Sequence, residues 1–398
     1  PPSVGHGALA GLVSTIAREH PELDPVLIDA EPTGVPDALR CGGPVLVVRD
    51  GRVLARTVDP RATIAPGAVF ALDRPASGQL AELALRPVAM PQPGPGQVRI
   101  AATAAGLNFR DVMNALGTYP GDGGRLGGEC AGIVDALGEG VEGPAIGDRV
   151  MAVAAGCHAS HVVAEAPLVL PVPAGWSDEQ AATMPTVFLT AAWALRRDGA
   201  VGPGQRVLVH AGTGGLGLAA IQVARAAGAE VLATAGSDEK RDYLRGLGIA
   251  CVSDSRSRAF VDDVMAHTGG AGVDIVLNSL SGELIAGGFE VLRPGGRFLE
   301  AGKAGIWSEE QAQAERPDVT YRPIALDVEI VRDPAAVGAF WRALMAEFAD
   351  GTLQPLPVTP FAMTDAEGAY RFMQQARHIG RIALTRRFLR GDAAYLVT

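Results

Sequence analysis

The chain has 398 residues, 48% of them hydrophobic and 20% charged, enough to build two or three domains around sizeable cores. A formal net charge of −10 at pH 7 argues against a nucleic-acid partner, which needs Lys and Arg clustered against phosphates. No apolar run reaches the roughly 18 to 20 residues that cross a bilayer, and no signal peptide is visible. The four cysteines (Cys41, Cys130, Cys157, Cys251) lack C-x-x-C spacing, so free thiols in a reducing cytoplasm are expected. The first residue is Pro1, which suggests a piece of something longer.

Residues 1–66 stand apart as a small α+β segment. A predicted helix over 7–20 leads to a proline-rich patch and then a hairpin, 44–49 and 52–57, across Asp50-Gly51. From 67 to 185, short strands broken by Pro and Gly (97–101, 132–137, 149–153, 161–164) predict a mostly β domain, barrel-like or sandwich-like. The tail, 322–398, is expected to rejoin it around one amphipathic helix, 334–349. A helix over 178–197 leads into residues 186–321, where strands at 206–210, 230–234, 274–278 and 296–300 alternate with helical stretches. Such alternation predicts a parallel sheet with right-handed crossovers. The fold class is therefore α/β, a Rossmann-type parallel-sheet domain inserted in a mostly β domain.

The most informative stretch is Val207-Leu208-Val209-His210-Ala211-Gly212-Thr213-Gly214-Gly215-Leu216-Gly217. An apolar strand runs into a glycine turn that opens a predicted helix (218–227), and a second apolar strand follows. In that order the glycines (Gly212, Gly214, Gly215, Gly217, with Thr213 and Leu216 between them) let the backbone approach a pyrophosphate, and the helix offers it free N–H groups. The second strand ends Thr234-Ala235-Gly236-Ser237, without the carboxylate that would hold a ribose 2′-hydroxyl. Lys240 and Arg256 are candidates to meet a 2′-phosphate, which favours NADPH; as plain surface charges they would say nothing. Asp238 reads as the N-cap of the next helix.

The segments Gly106-Leu107-Asn108-Phe109-Arg110-Asp111, Ala115-Leu116-Gly117-Thr118-Tyr119-Pro120, Val276-Leu277-Asn278-Ser279-Leu280, Gly295–Lys303 and Gln375–Gly380 together resemble the enoyl reductase domain of a modular polyketide synthase. That family is a branch of the medium-chain dehydrogenase/reductase superfamily, zinc-independent and quinone-oxidoreductase-like. The resemblance implies a GroES-like substrate domain and a substrate borne by the phosphopantetheine of an acyl carrier protein. Residues 1–60, with Glu19-His20-Pro21-Glu22-Leu23, resemble the end of a ketoreductase-like structural subdomain, which implies ketoreductase and dehydratase neighbours.

The resemblance also assigns residues. Tyr119 matches a tyrosine that presents a phenol over the substrate Cα and is associated with S configuration at an α-methyl centre. Lys303 matches a proposed proton donor, and Asp327 the aspartate that pairs with it. Asn278, Ser279, Leu280 and Gly302 would line the nicotinamide pocket, with Gly302 keeping space over the ring clear. Asn108 and Arg110 would frame the substrate, with Arg110 and Asp111 as a structural pair. Without the resemblance, Tyr119 could pad a turn, and Lys303 and Asp327 could be solvated charges. No metal is expected. Asn108 stands where zinc-dependent relatives place a cysteine, Gly128-Glu129 where they place His-Glu, and Cys157-His158-Ala159-Ser160-His161 reads as a strand with His158 on an edge. A free-standing quinone oxidoreductase and a decayed NADPH-binding domain are the competing readings.

Overall fold

The computed structural model describes residues 68–386 and four strands outside that span. The predicted helix over 7–20, the proline-rich patch and Cys41 lie outside the described residues. The first strands are β1 (Leu27–Ala30), β2 (Val45–Arg49) and β3 (Arg52–Ala55). β1 and β2 run parallel, while β2 and β3 pair antiparallel from Leu46↔Ala55 to Arg49↔Arg52, the hairpin that Asp50-Gly51 predicts.

A two-stranded ribbon of β4 (Phe70–Asp73) and β5 (Ala84–Pro87) precedes a sheet that begins with the long β6 (Gln97–Leu107). Alternate residues of β6 are buried up to Ala104, and then every residue to Leu107 is, so one face turns from half-covered to wholly covered. Helix α1 (Phe109–Ala115) follows, then β7 (Glu129–Leu137), β8 (Arg149–Val153), β9 (His161–Glu165) and β10 (Val169–Pro171).

The single helix expected over 178–197 is broken. Ser177 caps α2 (Asp178–Thr183), Pro185 starts α3 (Pro185–Ala192), and a π-helical turn, Trp193–Asp198, closes the stretch. Proline lacks the N–H that a continuous helix needs and fits best in a first turn.

The nucleotide-type unit comprises β11 (Arg206–Val209), α4 (Gly215–Ala226), β12 (Glu230–Ala235), α5 (Asp238–Gly246), β13 (Val252–Asp254), α6 (Ala259–His267), β14 (Val273–Asn278), α7 (Glu283–Glu290), β15 (Leu292–Glu300), α8 (Glu309–Glu315) and β16 (Thr320–Pro323). Its six strands are all parallel, in the order β13-β12-β11-β14-β15-β16. Every residue of β14 is buried, as expected of a parallel strand covered on both faces. The chain leaves β11 for β12 on one side and later returns to β14 on the other. That reversal opens a crevice at the carboxyl ends of β11 and β14, the usual ligand site of such sheets. Strands β13 and β16 escaped the sequence reading because each is only three or four residues long.

The tail carries α9 (Leu326–Arg332), α10 (Pro334–Ala349), β17 (Val358–Ala362), α11 (Ala366–Gln374), β18 (Arg381–Thr385) and β19 (Leu396–Val397). β18 pairs antiparallel with β6, so the tail does return to the β sheet, and β19 pairs with β1. Among the described residues, no helix is long and apolar enough to cross a membrane.

One contact joins the β sheet to the crevice. Gly380 bridges to Gly214 and donates its N–H to Thr213 O at 2.8 Å. The next residue, Arg381, is 3% exposed; it bonds Thr183 O at 2.8 Å through Nε and pairs with the fully buried Glu129. Removing one member of a buried pair leaves the other charged and unsolvated, which costs about 3–5 kcal/mol. We predict that Arg381→Met lowers the urea midpoint sharply and that adding Glu129→Leu recovers part of the loss. A midpoint unchanged in Arg381→Met would contradict this role.

Candidate active site

The glycine turn is built by steric need. Ala211 adopts a left-handed φ of 50°, and Gly212 N–H bonds Thr234 O at 2.8 Å, which ties the turn to β12. Helix α4 starts at Gly215, one turn before the position predicted from the alanine run, so the glycines themselves form its first turn. A Cβ on Gly217 would lie 2.6 Å from Ala211 O, and one on Gly215 only 2.3 Å from the Arg381 Cδ. Only hydrogen fits at either place. Thr213 is buried and Leu216 half-buried; the N–H groups of a helix's first turn lack intrahelical partners and suit an anion.

On the β12 side, Ser237 caps α5, its Oγ accepting from Lys240 N at 3.4 Å. Asp238, expected as the N-cap, is instead the first helical residue and pairs with Arg241 at 2.5 Å. Arg256 packs on Gly236, where a Cβ would come within 2.8 Å of its Nε. Lys240 reaches Ala376 O at 2.7 Å, and burial, with Arg256 next in effect, lowers its pKa. His378, whose Nδ1 is buried without a hydrogen-bond partner, is held near 4 by burial and then by Lys240 and Arg381. Lys240 and Arg256 thus bring two like charges together at the end of β12.

On the β14 side, Asn278 is fully buried. Its Nδ2 donates to Leu280 O at 2.9 Å and to Glu300 Oε2 at 2.7 Å, and its Oδ1 accepts from Leu280 N at 3.1 Å. Ser279 Oγ donates to His210 O at 3.3 Å. Gly302 has a reason to be glycine that the sequence did not show. A Cβ there would lie 2.7 Å from Glu300 Oε1 and 2.9 Å from Ile306 Cγ2.

Four side chains then meet beyond the end of β15. Lys303 Nζ donates to Ile324 O at 2.8 Å and to Asp327 Oδ1 at 3.4 Å. Tyr119 O–H donates to Asp327 Oδ2, also at 3.4 Å, and Arg110 stands 3.7 Å from the same oxygen with its guanidinium 4.9 Å over the Tyr119 ring. The three residues singled out as catalytic are thus one cluster centred on Asp327, drawn from the loop after α1, the end of β15 and the first turn of α9. Burial pushes the Asp327 carboxyl up, but Lys303 and Arg110 outweigh it and hold it below the usual carboxylate range. Burial raises the Tyr119 phenol; Arg110 opposes this and Asp327 adds to it. The Lys303 and Asp327 side chains are about a third exposed (31% and 32%), and such pairs contribute little to folding, about 0–1 kcal/mol. Their convergence calls for another reason than stability.

Asn108 is half-buried: its Nδ2 donates to Glu129 Oε1 at 3.0 Å, and its Oδ1 accepts from Thr186 Oγ1 at 3.3 Å. Arg110 and Asp111 are not a pair. Asp111 accepts from Asn108 N at 2.9 Å and Gly127 N at 2.8 Å, while Arg110 turns to Tyr119 and Asp327. His158 lies before β9 rather than on a strand edge, 1% exposed, with its ring nitrogens on Tyr370 Oη (2.8 Å) and Gly106 O (3.0 Å). Cys157 is wholly buried, and no group of three or more potential metal ligands occurs among the described residues. Arg381 and Glu300 were not foreseen. A lone charge closing or opening an apolar strand, as in Phe298-Leu299-Glu300 and Arg381-Ile382-Ala383, was the available signal.

Comparison with known proteins follows the same architecture. Residues 94–174 match the alcohol dehydrogenase GroES-like domain and residues 215–343 the zinc-binding dehydrogenase family model. The chain is 37% identical over 412 residues to a phenolphthiocerol/phthiocerol polyketide synthase of Mycobacterium tuberculosis, an alignment covering 95% of this chain and 19% of that protein. It thus spans about a fifth of that relative's length. Among solved structures, the CurK enoyl reductase is 38% identical, with a TM-score of 0.76, over 80% of this chain and 99% of that one. Mycobacterial Rv1454c, solved in complex with NADPH, is 27% identical with a TM-score of 0.72, over 80% of this chain and 100% of that one.

Because Asp327 raises the Tyr119 phenol and Arg110 lowers it, Asp327→Asn is predicted to move the Tyr119 titration downward. Alkaline difference absorbance, referenced to Tyr119→Phe, reads this directly. A shift upward would contradict the arrangement.

Proposed function

The chain belongs to the polyketide synthase enoyl reductases of the medium-chain dehydrogenase/reductase superfamily, and from this we propose that it reduces a trans-2-enoyl thioester to the saturated thioester with NADPH. The substrate would arrive on the phosphopantetheine arm of an acyl carrier protein, and the ketoreductase and dehydratase of the same synthase would supply it. Residues 68–185 and 324–386 would form the substrate side and 186–323 the cofactor side; the expected bounds 321/322 cut through β16, and β19 pairs with β1 rather than with the β sheet of the substrate side. The observation that carries the reading is the meeting of Tyr119, Lys303 and Asp327 in one cluster.

The residues present suit NADPH. The Thr213–Gly217 turn and the start of α4 would take the pyrophosphate, where glycine hydrogens leave the backbone open. Ser237, Lys240 and Arg256 would take the 2′-phosphate, which would offset the Arg256 repulsion that adds to burial in lowering the Lys240 pKa. Asn278, Ser279, Leu280 and Gly302 would hold the nicotinamide. When bound, NADPH supplies the hydride that the substrate Cβ receives.

The chain's own part is charge and proton. Negative charge gathers on the thioester oxygen, and Cα must be protonated. Asp327, kept ionised by Lys303 and Arg110, holds the Lys303 ammonium and the Tyr119 hydroxyl toward one place. Lys303, with Nζ on Ile324 O and Asp327, is a positioned donor for charge or proton. Tyr119, with its proton held firmly by burial, can present an intact O–H to Cα from one side. Asn108, fixed by Glu129 and Thr186, and Arg110, stacked on Tyr119, shape the approach.

Three tests follow. Lys303→Ala with Asp327→Ala should lower turnover of an enoyl pantetheine thioester about 10²-fold or more while NADPH still binds; wild-type turnover would remove both from the mechanism. Tyr119→Phe should change the configuration of an α-methyl product more than the rate, and unchanged configuration would remove Tyr119. Lys240→Ala with Arg256→Ala should weaken NADPH binding and leave NADH binding nearly as it was. Equal loss for both nucleotides would place the 2′-phosphate elsewhere.

A further inference from the structure

We propose that Glu300 is a positioning residue for the nicotinamide end of the crevice, fastening the Asn278–Leu280 turn to the Gly302–Lys303 turn through its two carboxylate oxygens. This rests on the cofactor assignment above and extends it to a residue outside that cofactor set.

Glu300 is fully buried at the carboxyl end of β15. Its Oε2 accepts from Asn278 Nδ2 at 2.7 Å and its Oε1 from Gly302 N at 2.6 Å. Asn278 cannot turn its amide over, because Oδ1 is held by Leu280 N and Nδ2 already serves Leu280 O. Both Glu300 oxygens therefore face N–H donors, and neither contact offers an acceptor for an acid proton. The ionised carboxylate satisfies both turns at once, whereas the neutral acid sets an O–H against a donor. Gly302 completes the device, since any side chain would strike Glu300 Oε1 or Ile306 and keep the turn from closing on the carboxylate.

The charge is finely balanced. Burial pushes Glu300 up to about 7, against the downward pull of the Asn278 and Gly302 bonds. The titratable group facing it from β16 is Tyr321, whose hydroxyl bonds Trp307 O at 2.9 Å and whose own pKa burial, then Glu300, raises. Lys303, two residues beyond Ala301, is directed to Ile324 O and Asp327. Above neutral pH the two turns are fastened, and below it they loosen.

The test compares binding of NADPH with that of 2′-phospho-ADP-ribose, which has the same phosphates and no nicotinamide, between pH 6 and pH 8.5. Taking the ratio of the two affinities cancels titration of the 2′-phosphate and of His378. In the wild-type protein the ratio should favour NADPH increasingly as pH rises through about 7. Glu300→Gln points an N–H₂ at a donor and loses one bond. It should weaken NADPH about tenfold at pH 8, flatten the pH dependence of the ratio, and leave 2′-phospho-ADP-ribose within about twofold. Equal loss of both ligands, or a ratio that Glu300→Gln leaves unchanged, would overturn the proposal. Wild-type protein that binds neither ligand would overturn it together with the cofactor assignment. Wild-type protein that binds both, shows the Glu300→Gln effect and yet reduces no enoyl thioester would sustain this inference and sink the proposed reaction.

Discussion

The buried pair of Arg381 and Glu129 is the constraint on which the arrangement of the crevice depends. Arg381 opens β18, follows directly on the Gly380 contact with Thr213, and occupies the space that a side chain on Gly215 would fill. Glu129 opens β7 and receives Asn108 and Thr186 as well. One ion pair thus sets the distance between the glycine turn of the parallel sheet and the pocket residues of the β sheet. An isolated buried charge is costly, so the pair holds its geometry or both units lose theirs. Arg381, which packs on Gly215 of the glycine turn, neutralises the carboxylate to which Asn108 also donates.

Across the crevice, electrostatics divides the labour. The β12 side brings Lys240 and Arg256 together, with Glu239 opposing their repulsion only weakly, which suits a phosphate. The β15 side combines a buried acid on amide donors, Glu300, with a lysine–aspartate pair about a third exposed, Lys303 and Asp327. The first pair of bonds fixes backbone, and the second fixes a tyrosine hydroxyl. Exposure separates the roles: a buried acid organises the frame, while a pair open to water remains available to a substrate.

Much of this was legible in the sequence for reasons of spacing. The strand–glycine–helix order over residues 207–217 has few structural solutions, and the alternation of short apolar runs with helical stretches points to a parallel sheet in which β14 is covered on both faces. Tyr119, Lys303 and Asp327 were named through resemblance; no periodicity reveals that residues 208 positions apart share an oxygen's surroundings. The failures are also physical. Pro185 broke a helix that the apolar pattern carried through, and Ser237, not Asp238, won the cap because its backbone is extended while Asp238 is already helical. Arg110 and Asp111 are neighbours in the chain but point apart, since successive helical residues lie on different faces. Arg381 and Glu300 were missed because a single charge in an apolar strand gives no sign of its partner.

The central claim is that this crevice carries hydride chemistry to an activated carbon–carbon double bond. The direct measurement is the loss of NADPH absorbance by the wild-type protein with a trans-2-enoyl pantetheine thioester, run beside NADH and a quinone. Oxidation with the thioester and NADPH, slow with NADH and absent with the quinone, is the predicted result. Oxidation with the quinone alone, or none with any acceptor despite measurable NADPH binding, would contradict it.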